Sequence, residues 1–166
     1  MTTSGILERG NTLGVVLAIA LPMLAGVALL IVSPTFRQLV DTMAHHWLIG
    51  IQTLRVGGVI LLVLVDMRLV PTAFGTHAGI GDVLVGILAP MVAYWYYVNK
   101  PFARGVAIGF AALGILDLVN AIIQGLVLSP SGPFAPEIGR VFLLIPTCAV
   151  PTVILLHIYS LRDLLR

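Results

Sequence analysis

The most constraining feature of this sequence is a series of long apolar runs divided by short polar segments. Residues 10–36 contain no charged side chain, and a helix needs about 20 apolar residues to cross the hydrocarbon core of a bilayer. Charged residues make up only 10% of the chain, and its mean hydropathy is +1.09. A water-soluble domain carries about 25% charged residues. The chain is therefore predicted to fold inside a membrane.

The apolar runs predict an all-α, polytopic transmembrane helical bundle in which residues 1–166 form a single integral membrane domain. Ser33 and Pro34 match a helix N-cap followed by proline in the first turn. The apolar residues after them recur at helical spacing, which indicates a short interfacial helix near 34–45. Segments rich in proline and glycine separate the later runs. We expect five spanning helices, at about 13–32, 47–67, 78–98, 102–128 and 141–161.

The basic residues predict how such a bundle is oriented. With five spans, the N-terminal side of the membrane carries Arg9, Arg68 and Arg140. The other side carries Arg37, Lys100, Arg104, Arg162 and Arg166. The positive-inside rule then predicts the N-terminus outside and the C-terminus in the cytoplasm. We expect a bacterial-type inner (plasma) membrane. The net charge of +2 is small and dispersed, so nucleic acid is not an expected partner.

Two of the predicted spans cannot cross a bilayer without a charged residue. The uncharged run 56–65 is about half the required length, so its helix must include Arg55. The uncharged run 105–116 is also too short, so its helix must include Asp117. A lone ionised aspartate at the bilayer centre costs about 2.5–3.5 kcal/mol, and such residues usually face the bundle interior with a partner. We expect the two opposite charges to meet there.

Helical spacing places further polar groups beside this pair. Gln52 shares a helix face with Arg55, and that face continues at helical steps to Leu62 and Asp66. Asp117 is followed at i+3 and i+7 by two amides on its own face. Asp82 in the third span falls near the depth of Asp117 and is a second acid. The predicted binding or transport site consists of Arg55, Asp117, Asp82, Asn120, Gln124 and Gln52.

Small residues predict where helices approach closely. The third span carries Gly79, Gly86 and Ala89 near one face, and the fourth carries Gly105 and Gly109 in a G-x-x-x-G arrangement. Such faces let helix backbones come together in a membrane. We expect both faces to pack within the chain.

One arginine with two acids suggests proton chemistry. One carboxylate stays ionised against the guanidinium, and the other becomes a group that takes up and releases a proton. A structural alternative remains open, in which Arg55 and Asp117 pin the helix register and Asp82 lies in water at the interface.

The histidines suggest a different function. His157 lies near the end of the last predicted span, and His45 and His46 precede the second span on the same side. Two helical histidines across a bundle are a common way to hold haem b. A haem or quinone pocket is therefore an alternative, although adjacent histidines point in different directions. For His46, which adjoins Trp47, a position at the level of the lipid headgroups is the more ordinary interpretation. No dedicated metal site is expected.

Motifs of soluble-enzyme chemistry are missing from the sequence, so no enzymatic activity is indicated. The sequence favours a membrane protein that binds or translocates a small solute or protons, as a homo-oligomer or as part of a larger membrane complex. Two alternatives remain. One is a haem- or quinone-binding electron-transfer subunit, and the other is a non-catalytic accessory or assembly subunit.

Overall fold

The chain folds as a set of packed helices, seen in a computed structural model that describes residues 3–127 and 145–166, without the side chains of residues 3–13, 15, 126, 127 and 146. The α-helices are α1 (Thr3–Val32), α2 (Pro34–Asp41), α3 (His45–Gly50), α4 (Val59–Asp66), α5 (Thr72–Tyr97), α6 (Ala103–Val127) and α7 (Val150–Leu164). A 3₁₀ segment, Ile51–Gly58, joins α3 to α4, and a π-helical turn, Ile145–Ala149, precedes α7. These described residues include no strand, as predicted for an all-α protein.

Three to four helical segments are long and apolar enough to cross a membrane. Three are His45–Asp66, which comprises α3, the 3₁₀ segment and α4, Thr72–Tyr97 in α5, and Ala103–Gly125 in α6. A fourth arises if Val16–Val32 and Pro34–Asp41, which are bent by 97°, count as one span. Five spans are not confirmed. The fifth predicted span, 141–161, starts outside the described residues, and α7 has 15 residues and a length of only about 22 Å.

The predicted helix near 34–45 is present, but it ends at Asp41. The Ser33 hydroxyl accepts a hydrogen bond from the Phe36 backbone N–H at 3.2 Å, so the predicted N-cap is formed. At the other end, the Asp41 carboxylate pairs with Arg162 at 2.8 Å and with Arg166 at 3.1 Å. These ion pairs fasten α2 to the end of α7.

The 3₁₀ segment determines which side chains of the first described span face inward. From α3 to α4, every third residue is buried: Ile49, Gln52, Arg55, Gly58, Leu61 and Leu64. Residues three apart eclipse one another in a 3₁₀-helix, whereas in an α-helix they differ by about 60° around the axis. The segment therefore keeps Gln52 and Arg55 in line. The predicted continuation to Asp66 is wrong, since Asp66 is exposed, whereas Leu62 is half-buried and lies against Gly79.

Glycines allow the 3₁₀ segment and α5 to touch through their backbones. A Cβ on Gly79 would lie 3.0 Å from the Gly58 carbonyl oxygen, and a Cβ on Gly86 would lie 2.9 Å from the Arg55 carbonyl carbon. Both distances are too short for a side chain, so the predicted small-residue face of α5 packs within the chain. The same prediction for α6 is wrong, because a Cβ on Gly105 or Gly109 would meet nothing within 4 Å.

Two apolar clusters lie on either side of the middle of the spans. One cluster consists of Ile49, Val85, Ala89, Val92, Ala107, Phe110 and Leu164. The other consists of Leu61, Leu64, Val70, Phe74 and Ala78. Along His45–Asp66 and α5, the charged residue near the middle falls between the two clusters. On α6, Asp117 falls between Phe110 of the first cluster and Ala121, which packs against the second. The charges therefore occupy a layer with apolar packing above and below.

Replacing Gly86 with alanine tests the backbone contact between α5 and the 3₁₀ segment. We expect Gly86→Ala to lower the free energy of unfolding by about 1–3 kcal/mol, as overpacking does. Gly109→Ala is the matched control and should leave stability unchanged or slightly raised, because alanine favours a helix and its Cβ meets open space. Thermal unfolding in a mild detergent measures both. Equal stability of the two variants would contradict the contact.

Candidate functional site

The Arg55 guanidinium lies between two carboxylates at the middle of the bundle. Its Nε donates a hydrogen bond to Asp82 Oδ1 at 2.7 Å, and its Nη2 lies 2.7 Å from the same oxygen. Nη2 also donates to Asp117 Oδ2, and Nη1 lies 3.5 Å from the Gly114 carbonyl oxygen. One arginine thus bridges acids from α5 and α6. We refer to Arg55, Asp82 and Asp117 as the Arg–Asp cluster.

The segment GIGDVLVG, residues 79–86, explains how three backbones come close enough for this contact. Gly79 and Gly86 admit the 3₁₀ segment on the face that carries Asp82. Gly81 opens the neighbouring face of α5, because a Cβ on Gly81 would overlap the Asp117 carboxylate. The segment therefore supplies one acid of the cluster and the space for the other two members.

The charges of the Arg–Asp cluster do not balance when both acids are ionised. Arginine keeps its charge in proteins, so one cation faces two anions and the net charge is −1. The Arg55 side chain is only 5% exposed, whereas the side chains of Asp82 and Asp117 are 22% and 17% exposed. Asp82 Oδ2 makes no hydrogen bond within the described part of the chain. The carboxylates thus keep accessible surface while the guanidinium does not.

The predicted amide support of the cluster is not formed. Gln52 is 1% exposed, and neither its amide nitrogen nor its amide oxygen has a hydrogen-bond partner among the described residues. Gln124 lies about 10 Å along α6 from Asp117, and its buried Oε1 is likewise unpartnered. Asn120 is exposed, because three residues of α-helix turn it about 60° away from the face of Asp117.

A pocket of about 640 Å³ borders the cluster. It is lined by residues of the 3₁₀ segment and α4, by residues of the π-helical turn and α7, and by Asp82 of α5 and Leu118 of α6. Most of these lining residues are apolar. Gln52, Arg55 and Asp82 supply polar residues on one side. The Thr152 hydroxyl donates to the Cys148 carbonyl oxygen at 2.7 Å, so it is already satisfied.

His157 borders the cluster from α7. Its imidazole fills the space left by the missing side chain of Gly114, whose carbonyl oxygen faces Arg55. The Phe110 ring centroid lies 5.6 Å from that of His157. His157 Nε2 is buried and has no hydrogen-bond partner among the residues the structure describes. His157 is therefore a core residue of the contact between α6 and α7.

The other two predicted haem ligands are placed differently. His45 Nδ1 lies 2.9 Å from Asp163 Oδ2, and His45 Nε2 lies 3.0 Å from the Ser160 hydroxyl. Since both ring nitrogens are engaged, His45 offers no free nitrogen to iron. The ring of His46 instead packs against Trp47 and Tyr97, with centroids 5.7 and 5.1 Å away. In residues 3–127 and 145–166, no group of three His, Cys, Asp or Glu side chains is placed to hold a metal ion.

Sequence reasoning missed the contact that joins α3 to α7. Ser160 and Asp163 lie one helical turn apart on α7 and share a face, which is a detectable signal, but nothing in the sequence pairs them with His45. The order hydroxyl, imidazole, carboxylate resembles a hydrolase triad. Ser160 is only 3% exposed, so its hydroxyl has almost no surface to present to a substrate. The arrangement is a partly buried clasp between two helices, since the Asp163 side chain is 46% exposed.

Removing the shared cation tests whether the cluster stabilises the bundle. We expect Arg55→Gln to lower the free energy of unfolding by about 3–5 kcal/mol, because it leaves two acids in an apolar layer. The triple variant Arg55→Gln, Asp82→Asn, Asp117→Asn should recover much of that loss, since no net charge remains. Denaturant unfolding in mixed micelles measures the effect, with Arg37→Gln in α2 as the control. If Arg55→Gln alone is as stable as the wild type, the Arg–Asp cluster does not stabilise the bundle.

Comparison with known proteins gives one match. No curated protein and no solved structure matches the chain. The family described as "Domain of unknown function (DUF8737)" matches residues 12–165 and so includes all three members of the Arg–Asp cluster. Because this match covers most of the sequence, the chain belongs to the DUF8737 family.

Proposed function

We propose that this protein takes up and releases protons at the Arg–Asp cluster and binds or translocates a small solute in the adjoining pocket. The observation that carries the proposal is the single guanidinium of Arg55 between the carboxylates of Asp82 and Asp117. One cation neutralises only one anion. The second carboxylate is left as a group whose charge a proton can cancel.

The surroundings of the cluster favour such an exchange. A net charge of −1 is costly in an apolar layer, and adding one proton brings the cluster to neutrality. The reverse step is also supported, because Arg55 stabilises whichever carboxylate is ionised. A cluster with two states of similar free energy is what a proton-exchanging site requires.

The position of the pocket links proton exchange to a solute. Apolar clusters lie on both sides of the charged layer along the spans. A solute therefore reaches the charged layer from the side, through the pocket. Asp82 is both a member of the Arg–Asp cluster and a pocket residue. A molecule in the pocket therefore lies beside the acid that exchanges the proton, which is the basis of coupling between the two.

Membrane orientation is part of the proposal. Ion pairs of Arg162 and Arg166 with Asp41, and a 2.8 Å hydrogen bond from Arg104 to the Leu164 carbonyl oxygen, gather basic residues at one end of the bundle. The positive-inside rule assigns that end to the cytoplasm. Five spans would place the N-terminus outside the cell in a bacterial-type inner membrane. We also propose that the protein associates with itself or belongs to a larger membrane complex.

Proton flux in liposomes tests the proposed function. We expect the reconstituted protein to move protons down an imposed gradient, read with an internal pH-sensitive dye. Asp82→Asn and Asp117→Asn should each reduce the rate at least about tenfold, because each removes one exchanging carboxylate. Asp66→Asn is the matched control, since Asp66 is exposed at the end of α4.

The same assay separates the proposed function from a purely structural one. If Asp82→Asn and Asp117→Asn fold and move protons at the wild-type rate, or if the wild type moves protons no faster than empty liposomes, the exchange at the cluster is contradicted. The role of an accessory or assembly subunit, in which the cluster only orders helices, then accounts for the geometry. A Soret band in the purified protein would instead support the electron-transfer alternative.

A further inference from the structure

We infer that the pocket beside the Arg–Asp cluster binds lipophilic organic cations, and that the bound cation takes the place of the exchangeable proton. This inference rests on the proposed function and names its solute class. It is carried by three observations, which are the apolar walls of the pocket, its volume, and the excess of one acid over bases in the Arg–Asp cluster that borders it.

The walls of the pocket require an apolar ligand body. Ile51, Leu54 and Ile60 line the pocket and are also exposed on the outer surface of the span. In a membrane, that surface faces lipid, so a molecule reaches the pocket from the bilayer. A volume of about 640 Å³ falls within the range of about 300–1,000 Å³ for pockets that hold small organic ligands.

The polar side of the pocket selects the charge of the ligand. Arg55 directs Nε and Nη2 to the two acids, so these donors are not free for an anion. Asp82 lines the pocket and has one carboxylate oxygen without a hydrogen bond among the described residues. Once its proton has left, the cluster carries a net charge of −1, which attracts a cation and repels an anion. A neutral molecule gains only the apolar contacts.

The exchange of a cation for a proton balances in charge. Before binding, the cluster holds one proton on a carboxylate and is neutral. When the cation enters, the carboxyl O–H bond breaks heterolytically, the proton goes to water and the cluster with its cation is again neutral. No redox step is involved. Among the described residues, the other titratable or charged groups that face Asp82 or line the pocket are Arg55, Asp117 and Cys148. His157 packs against Gly114 and interacts electrostatically with Arg55.

Gly57 makes the pocket testable without disturbing the Arg–Asp cluster. It lines the pocket, and a Cβ built there meets no atom within 4 Å. A leucine at this position therefore occupies space in or beside the pocket without displacing the backbone. Gly105 is the matched control, because its Cβ also meets open space but the residue lies on α6 away from the pocket.

Two ions of the same shape and opposite charge test the inference. Binding of tetraphenylphosphonium and of tetraphenylborate to the full chain in nanodiscs is measured by equilibrium dialysis, with empty nanodiscs subtracted. We expect the cation to bind at least about tenfold more tightly than the anion. Binding should tighten as pH rises, and it should release one proton per cation into weakly buffered solution.

The variants show where the cation binds. Gly57→Leu should weaken tetraphenylphosphonium binding at least about tenfold, while Gly105→Leu leaves it unchanged, because only the first reduces the pocket. Asp82→Asn should weaken binding of the cation and abolish the proton release that accompanies it. Equal binding of the two ions, or equal behaviour of the two leucine variants, overturns the inference. If the cation does not bind while liposomes still show proton flux that depends on Asp117, the inference fails and the proposed function stands.

Discussion

The bundle is organised around a guanidinium that has to be buried. An arginine near the middle of a spanning helix is tolerated when acids accept its hydrogen bonds, and here Arg55 finds one on each of two neighbouring helices. Contacts that short require close backbones. Gly79, Gly81 and Gly86 provide that closeness, so the choice of glycine in α5 follows from the ion contacts.

The same requirement accounts for the 3₁₀ segment. Runs of 3₁₀-helix longer than three or four residues are uncommon, yet Ile51–Gly58 spans eight. Its three-residue repeat turns Gln52, Arg55 and Gly58 toward α5 together, which α-helical geometry does not do. The segment also forms part of the pocket wall. A local departure from α-helix therefore places the charge and shapes the cavity next to it.

The limits of sequence reasoning here are geometric. The lengths of the uncharged runs were enough to bring Arg55 and Asp117 inside the membrane, and opposite charge was enough to pair them. The predicted depth of Asp82 in its span placed this second acid near them. The exposed position of Asn120 was missed because its i+3 spacing leaves it about 60° from Asp117 around the helix, and periodicity does not say which side of Asp117 faces the interior. The clasp of His45 was missed because its partners lie on a helix distant in sequence, which local periodicity does not encode.

The proposed function requires that a carboxyl group in the middle of the bundle holds a proton in one state and loses it in another. Infrared difference spectroscopy during a pH titration observes the C=O stretch of a protonated carboxyl group. A band that appears on acidification in the wild type, and that Asp82→Asn or Asp117→Asn shifts or removes, is the expected result. A spectrum with no carboxyl band that depends on these two residues at any pH at which the protein stays folded would show that the cluster does not exchange protons.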